Sequence, residues 1–305
     1  MLAATLLALG SALVHASWNL LIKTSEDRAV AAWGQFTAAA LVALVGLLVV
    51  GGPGWEAVPY LAGTAGVHLV YIESLVAAYT HGDFSLSYPL ARGGGAVCAA
   101  VGSALVLDDR LPALGWVAIA VAGVGLVGLR GRGVPAADDV VLGEAPAVTT
   151  ARAEDRARDR AGERAALGFA LLTAVCIATY TIIDSAGSRA GDSGVAYGLA
   201  SVAVAGTAVS LSNAVRASRR SRAGLLLTDW RRHLAGGVGT LVAYTMVLVA
   251  VRQAPVGYVT MLRESSVVIG ALVGWLVLRE GLGGRRLVAS GVILAGLVLL
   301  VVAGG

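Results

Sequence analysis

Six ionisable residues stand inside long apolar stretches: His15, His68, Glu73, Arg92, Arg263 and Glu264. An ionisable group in such surroundings is costly and faces a partner or a water-filled path. The two arginines carry planar, permanently charged forks that suit a carboxylate or a phosphonate through paired hydrogen bonds. They suit a buried acid equally well, and then they lock the fold through Glu73 or Glu264. Arg263 and Glu264 are adjacent, so on a helix they point about 100° apart and at least one has a partner elsewhere. His15, Trp18, Asn19 and Ile22 follow i, i+3, i+4, i+7 spacing and share one helical face. From that face Trp18 and Asn19 either line a cavity or pack and hydrogen-bond between helices. A buried carboxyl group is also a carrier of protons, with Glu73 the first candidate, Glu264 the second, and His15 beside them. Lys23 and Asp184 fall at the ends of apolar stretches, where polar side chains reach the interface.

The chain that positions these residues has 305 of them, 57% hydrophobic and 14% charged, with a mean hydropathy of +0.79. Soluble domains average about 45–50% apolar and about 25% charged residues, so this composition excludes one. Disordered, collagen-like and disulfide-scaffold chains are excluded too. The two cysteines, Cys98 and Cys176, each sit in an apolar run. A net charge of +4 could suggest nucleic acid, but the basic residues form short clusters between apolar runs, as in a multispanning membrane protein. None of the four histidines is followed by Glu, and neither a Gly-x-Ser-x-Gly elbow nor a Walker-type phosphate loop occurs. A membrane-embedded enzyme therefore has little support, and ATP-driven pumping by this chain alone has none. No cofactor is expected.

Ten segments are long and apolar enough to span about 30 Å of hydrocarbon: 2–22, 30–50, 57–79, 84–106, 112–129, 165–183, 194–215, 234–251, 256–278 and 287–302. Unbroken runs without period-2 alternation predict helices rather than a barrel. The chain also repeats itself. Leu105-Val-Leu-Asp-Asp-Arg-Leu111 and Leu276-Val-Leu-Arg-Glu-Gly-Leu282 lie 171 residues apart, and the same offset carries Arg92 onto Arg263. Each half holds five spans, an odd number, so the second half inserts upside down. The expected fold is an all-α integral membrane protein of ten transmembrane helices in two inverted five-helix repeats. The repeats occupy 1–130 and 165–305. Between them, 131–164 carries thirteen charged residues and reads as a polar linker, partly disordered or briefly helical. Pro89 and Gly93-Gly94-Gly95 predict either a break in the fourth helix or a kink with close packing, whereas 260–266 contains neither residue type.

These residues resemble the EamA family of the drug/metabolite transporter superfamily. The resemblance rests on His15-Ala-Ser-Trp18-Asn19-Leu20, on Tyr88-Pro89-Leu-Ala-Arg92-Gly93, and on Leu262-Arg263-Glu264-Ser-Ser266. The turns at 107–111 and 278–282 are similar to the family's Gly-Glu-Arg-Leu turn but depart from it at the glycine. The resemblance implies a secondary transporter, in a family whose members move amino acids, sugars, nucleotide-sugars, drugs and other metabolites; the two arginines point to a small anionic or zwitterionic metabolite such as an amino acid, with export the expected direction. Arg92, Arg263, Trp18, Asn19, Tyr88 and Glu264 are the expected substrate contacts. An exporter of lipophilic cations, with Glu73 or Glu264 meeting the drug, is the alternative. Expected partners are the small-molecule substrate and membrane lipids, with no nucleic acid and with a monomer or homodimer as the assembly. The expected location is a bacterial inner membrane. Basic residues in alternate loops number 18 on one side against 3 on the other, which predicts both termini outside. The family's habit is both inside.

Overall fold

A computed structural model describes residues 1–81, 84–128, 146–217, 226–227, 229–276 and 284–304. Eleven α-helices appear among them: α1 (Leu2–Lys23), α2 (Arg28–Val50), α3 (Val58–His81), α4 (Phe84–Val106), α5 (Ala113–Gly128), α6 (Pro146–Ala190), α7 (Gly194–Ala217), α8 (Trp230–Ala250), α9 (Val256–Arg263), α10 (Ser265–Leu276) and α11 (Gly284–Gly304), with a short 3-10 turn at Trp55–Ala57. A helix thus lies at every predicted segment, and no strand occurs among the described residues. Five stretches are long and apolar enough to cross a membrane: Leu2–Ile22, Val30–Val50, Arg164–Ala190, Gly194–Val215 and Trp230–Ala250. Leu90–Val106, Ala113–Gly128 and Val288–Ala303 are shorter apolar helices.

Side-chain size is distributed as in a lipid-embedded bundle. On α1, Ala4, Ala8 and Ala12 are completely buried, while Leu2, Leu6 and Leu13 are exposed. Small residues at four-residue spacing let neighbouring backbones approach, and large apolar ones turn outward. Close approaches recur throughout. A Cβ on Gly296 of α11 would stand 2.6 Å from the Ala122 nitrogen of α5, and one on Gly237 of α8 would stand 2.7 Å from the Ala39 nitrogen of α2.

The two halves interleave. α3 packs on α6 and α8 on α1; α4 packs on α6 and α9 on α1; α2 packs on α8 and α7 on α3. The pairs α2–α7, α4–α9 and α5–α11 close the set. Exchanging each first-half helix for its counterpart in the second half leaves these pairings unchanged.

The structure bears on three sequence expectations. α4 runs unbroken through Pro89 and the three glycines. Pro89 lies in the second turn, where few intrahelical bonds are lost, and the glycines serve packing: a Cβ on Gly95 would stand 2.7 Å from Ile177 of α6. The interruption lies instead in the second half, between α9 and α10. Glu264, at φ −69° and ψ −7°, tightens the ladder, its N–H bonding the Met261 carbonyl three residues back. Second, α6 continues past 183 to Ala190, so Asp184 is interior to the helix rather than at its end. Third, the linker from 146 onward is helix continuous with α6; residues 131–145 lie outside the described set.

One end of the bundle is tied by charge. Arg189 of α6 donates to both oxygens of Asp109, at 2.8 and 3.1 Å, and to the Val251 carbonyl. Asp109 also accepts the Val256 N–H that opens α9, at 2.7 Å. Asp108 precedes it at φ +51°, a left-handed conformation that Asp tolerates and Gly favours. This is the position at which the turn departs from the Gly-Glu-Arg-Leu pattern.

Candidate functional site

The α9–α10 interruption sets the chemistry of the centre. Arg92 of α4 reaches it, and its Nη2 donates to Glu264 Oε1 at 2.9 Å, with the two side chains 11% and 6% exposed. Arg263, one residue earlier, points elsewhere. Its guanidinium carbon lies 5.9 Å from the ring centroid of Tyr244, over the ring face. Among the described residues no acid pairs with Arg263, and its buried Nε has no hydrogen-bond partner. A ring face offers a cation about 0.5–2 kcal/mol, while withdrawing a charge from water costs several kcal/mol. The ring alone therefore leaves Arg263 under-compensated, and an anion placed there is favoured. The second oxygen of Glu264 and the hydroxyls of Ser265 and Ser266 are likewise buried without partners.

His15, 6% exposed, lies edge-on to Trp18 with ring centroids 4.6 Å apart. Trp18 Nε1 is a buried donor with no acceptor. α9 packs on α1 and α4, α4 packs on α6 and α6 on α3, so these five helices meet here. Asn19 and Tyr88 lie outside the described side chains.

Glu73 is exposed. At about 100° per residue, Glu73 lies half a turn round α3 from Thr64, which faces α6. The buried acid is Asp184, fully enclosed. It accepts hydrogen bonds from Thr64 (3.0 Å), Ser201 (3.2 Å) and Tyr244 on Oδ2, and from Tyr197 (2.9 Å) on Oδ1. His68 is tied to the same hub: its Nδ1 lies 2.9 Å from the Thr64 carbonyl. The rings of His68 and Tyr180 lie 4.5 Å apart, and Tyr180 continues to Tyr71 at 5.6 Å and to Tyr244 at 6.3 Å. Sequence reasoning missed this hub. A signal existed, because Thr64/His68, Tyr180/Asp184 and Tyr197/Ser201 are all polar pairs spaced by four, one on each of three helices.

Fold and centre together define a multihelical membrane protein with paired buried charges at the contact between its halves. Residues 164–302 match the model of the EamA-like transporter family, part of the drug/metabolite transporter superfamily. No curated protein matches the sequence. A crystal structure of a protein with 14% sequence identity superposes with a TM-score of 0.72 over 99% of this chain and 98% of that one, a likeness of fold alone.

Proposed function

We propose that the protein is a ten-span secondary transporter of a bacterial inner membrane. It moves a small anionic or zwitterionic metabolite, such as an amino acid, by alternating access between two inverted five-helix halves. The observation that carries the substrate class is Arg263, a membrane-depth guanidinium over a ring face that forms no ion pair with an acid among the described residues. A substrate carboxylate supplies the missing charge through the fork of Arg263, with Trp18 Nε1 and the Ser265 and Ser266 hydroxyls as further polar contacts. The interchangeable helix pairings support the inverted halves. The centre is closely packed, so substrate enters as the halves rock apart. The lipophilic-cation reading has less support, because Glu73 is exposed and Glu264 is already held by Arg92.

The test is a thermal-shift screen of detergent-purified protein against amino acids, other carboxylates, phosphonates and cationic drugs. A ligand at 100 times its Kd adds roughly 2.7 kcal/mol of stability. Carboxylates or zwitterions are expected to stabilise the wild type and to lose that effect in Arg263→Ala. Stabilisation by cations alone would overturn the reading.

A further inference from the structure

Four formal charges gather in the buried centre. Arg92 and Glu264 neutralise each other. Arg263 and Asp184 form no ion pair, and Tyr244 stands between them: its ring receives Arg263, and its hydroxyl donates to Asp184. Asp184 is met by Thr64 and, behind it, His68 from α3, by Tyr180 from its own helix, by Tyr197 and Ser201 from α7, and by Tyr244 from α8. Arg263 of α9 lies over the Tyr244 ring, and Arg92 of α4 is held by Glu264. The Thr64 carbonyl can only accept, so the His68 nitrogen facing it, Nδ1, carries a hydrogen. The four hydroxyls donate to an acceptor-only carboxylate, so their hydrogens converge on it and their lone pairs turn away. That arrangement offers a metal cation no oxygen cage, and it leaves the proton as the cation that fits.

We infer that Asp184 takes up a proton when an anionic substrate binds at Arg263, so that the two are carried together. The inference rests on the anion reading above. In the unloaded protein, Arg263 is the guanidinium left over once Arg92 has paired with Glu264, and Tyr244 touches both it and Asp184. An anion on Arg263 neutralises that guanidinium and strands a carboxylate in low dielectric, at a cost of several kcal/mol. One proton from solvent, forming one O–H bond on Asp184, removes the cost. The loaded centre then gains an anion and a proton and no net charge. One hydroxyl donor must turn aside to make room. Tyr244 is suited to do so, because its ring is the one an arriving anion disturbs through Arg263.

The experiment is titration calorimetry of the full chain in detergent with acetate and L-aspartate, near neutral pH, in buffers of different ionisation enthalpy. These carboxylates arrive ionised, so they bring no proton for the count. The wild type is expected to take up about one proton per anion, and affinity should rise by up to about tenfold for each unit that pH falls. Asp184→Asn should bind with no uptake. Tyr197→Phe removes one donor to the charged form and should extend uptake to higher pH; it also serves if Asp184→Asn fails to fold. Anion binding without proton uptake, or uptake that survives in Asp184→Asn or is unmoved in Tyr197→Phe, overturns the inference while leaving the anion reading intact. If neither carboxylate nor any other anion or zwitterion of the screen binds, the reading falls and this inference with it.

Discussion

Arg92 and Glu264 show how a buried pair is read. Each is nearly enclosed, and they meet at 2.9 Å. Removing one partner of such a pair costs about 3–5 kcal/mol because a charge is left buried, whereas replacing both with neutral groups is far milder. Arg92→Met is therefore expected to lower the thermal midpoint sharply, and adding Glu264→Gln should recover most of the loss. Equal losses in the single and double variants would show that the pair does not hold the helices. Arg263→Ala removes a side chain that pairs with no acid among the described residues, so its effect falls on ligand binding more than on folding. The sequence states that Arg263 and Glu264 diverge, and the structure agrees. The sequence does not say which of the two arginines is paired, since that depends on the rotation of α4 about its axis against α9.

At the level of elements, contacts between helices are made by glycine and alanine. α5 and α11 meet where a Cβ on Gly296 would strike the Ala122 nitrogen at 2.6 Å and the Ala118 carbonyl at 2.9 Å. Backbone atoms cannot step aside, so Gly296→Val should cost at least about 1–3 kcal/mol. Gly291→Val, on the same helix but with nothing within 4 Å, is the control and should be nearly silent. Thermal unfolding of the two variants decides; similar midpoints would sink the close-packing account. The broken element also belongs to this scale. Pro and Gly in α4 pointed there, yet α4 stays continuous and the interruption falls at Glu264, whose carboxylate is held by Arg92 from the other half. A composition signal marks where a helix can yield; a tertiary pull marks where it does.

Across the whole molecule, the chain ends and loops separate by charge. The tied end gathers the N-terminus, where Thr5 bonds Tyr258, the 51–57 and 191–193 connections, where the Asp192 N–H bonds the Pro53 carbonyl, and Asp109 with Arg189. In the sequence, lysine and arginine cluster at 23–28, 130–164, 216–232 and 279–286; of these, Arg232 at the start of α8 donates to the Leu21 carbonyl and to Thr24, at the end of α1 away from the N-terminus. Basic loops stay in the cytoplasm, so the tied end and both termini are expected outside. A reporter that works only in the cytoplasm should be silent when fused after Gly305 and active when inserted within 131–145; the reverse pattern would invert the molecule.

The sequence by itself determined the membrane class, a helix at each apolar run, the correspondence of the two halves and the residues from which a site could be built. All of these follow from hydropathy and spacing along one chain. Only the tertiary structure decided that Glu73 is exposed, that Asp184 is the enclosed acid, that Arg92 rather than Arg263 holds Glu264, and that Tyr244 joins Arg263 to Asp184. Those outcomes turn on how each helix is rotated against partners more than a hundred residues away. The physical reason is that periodicity fixes which residues share a face, while the close approach of small residues between helices fixes where that face points.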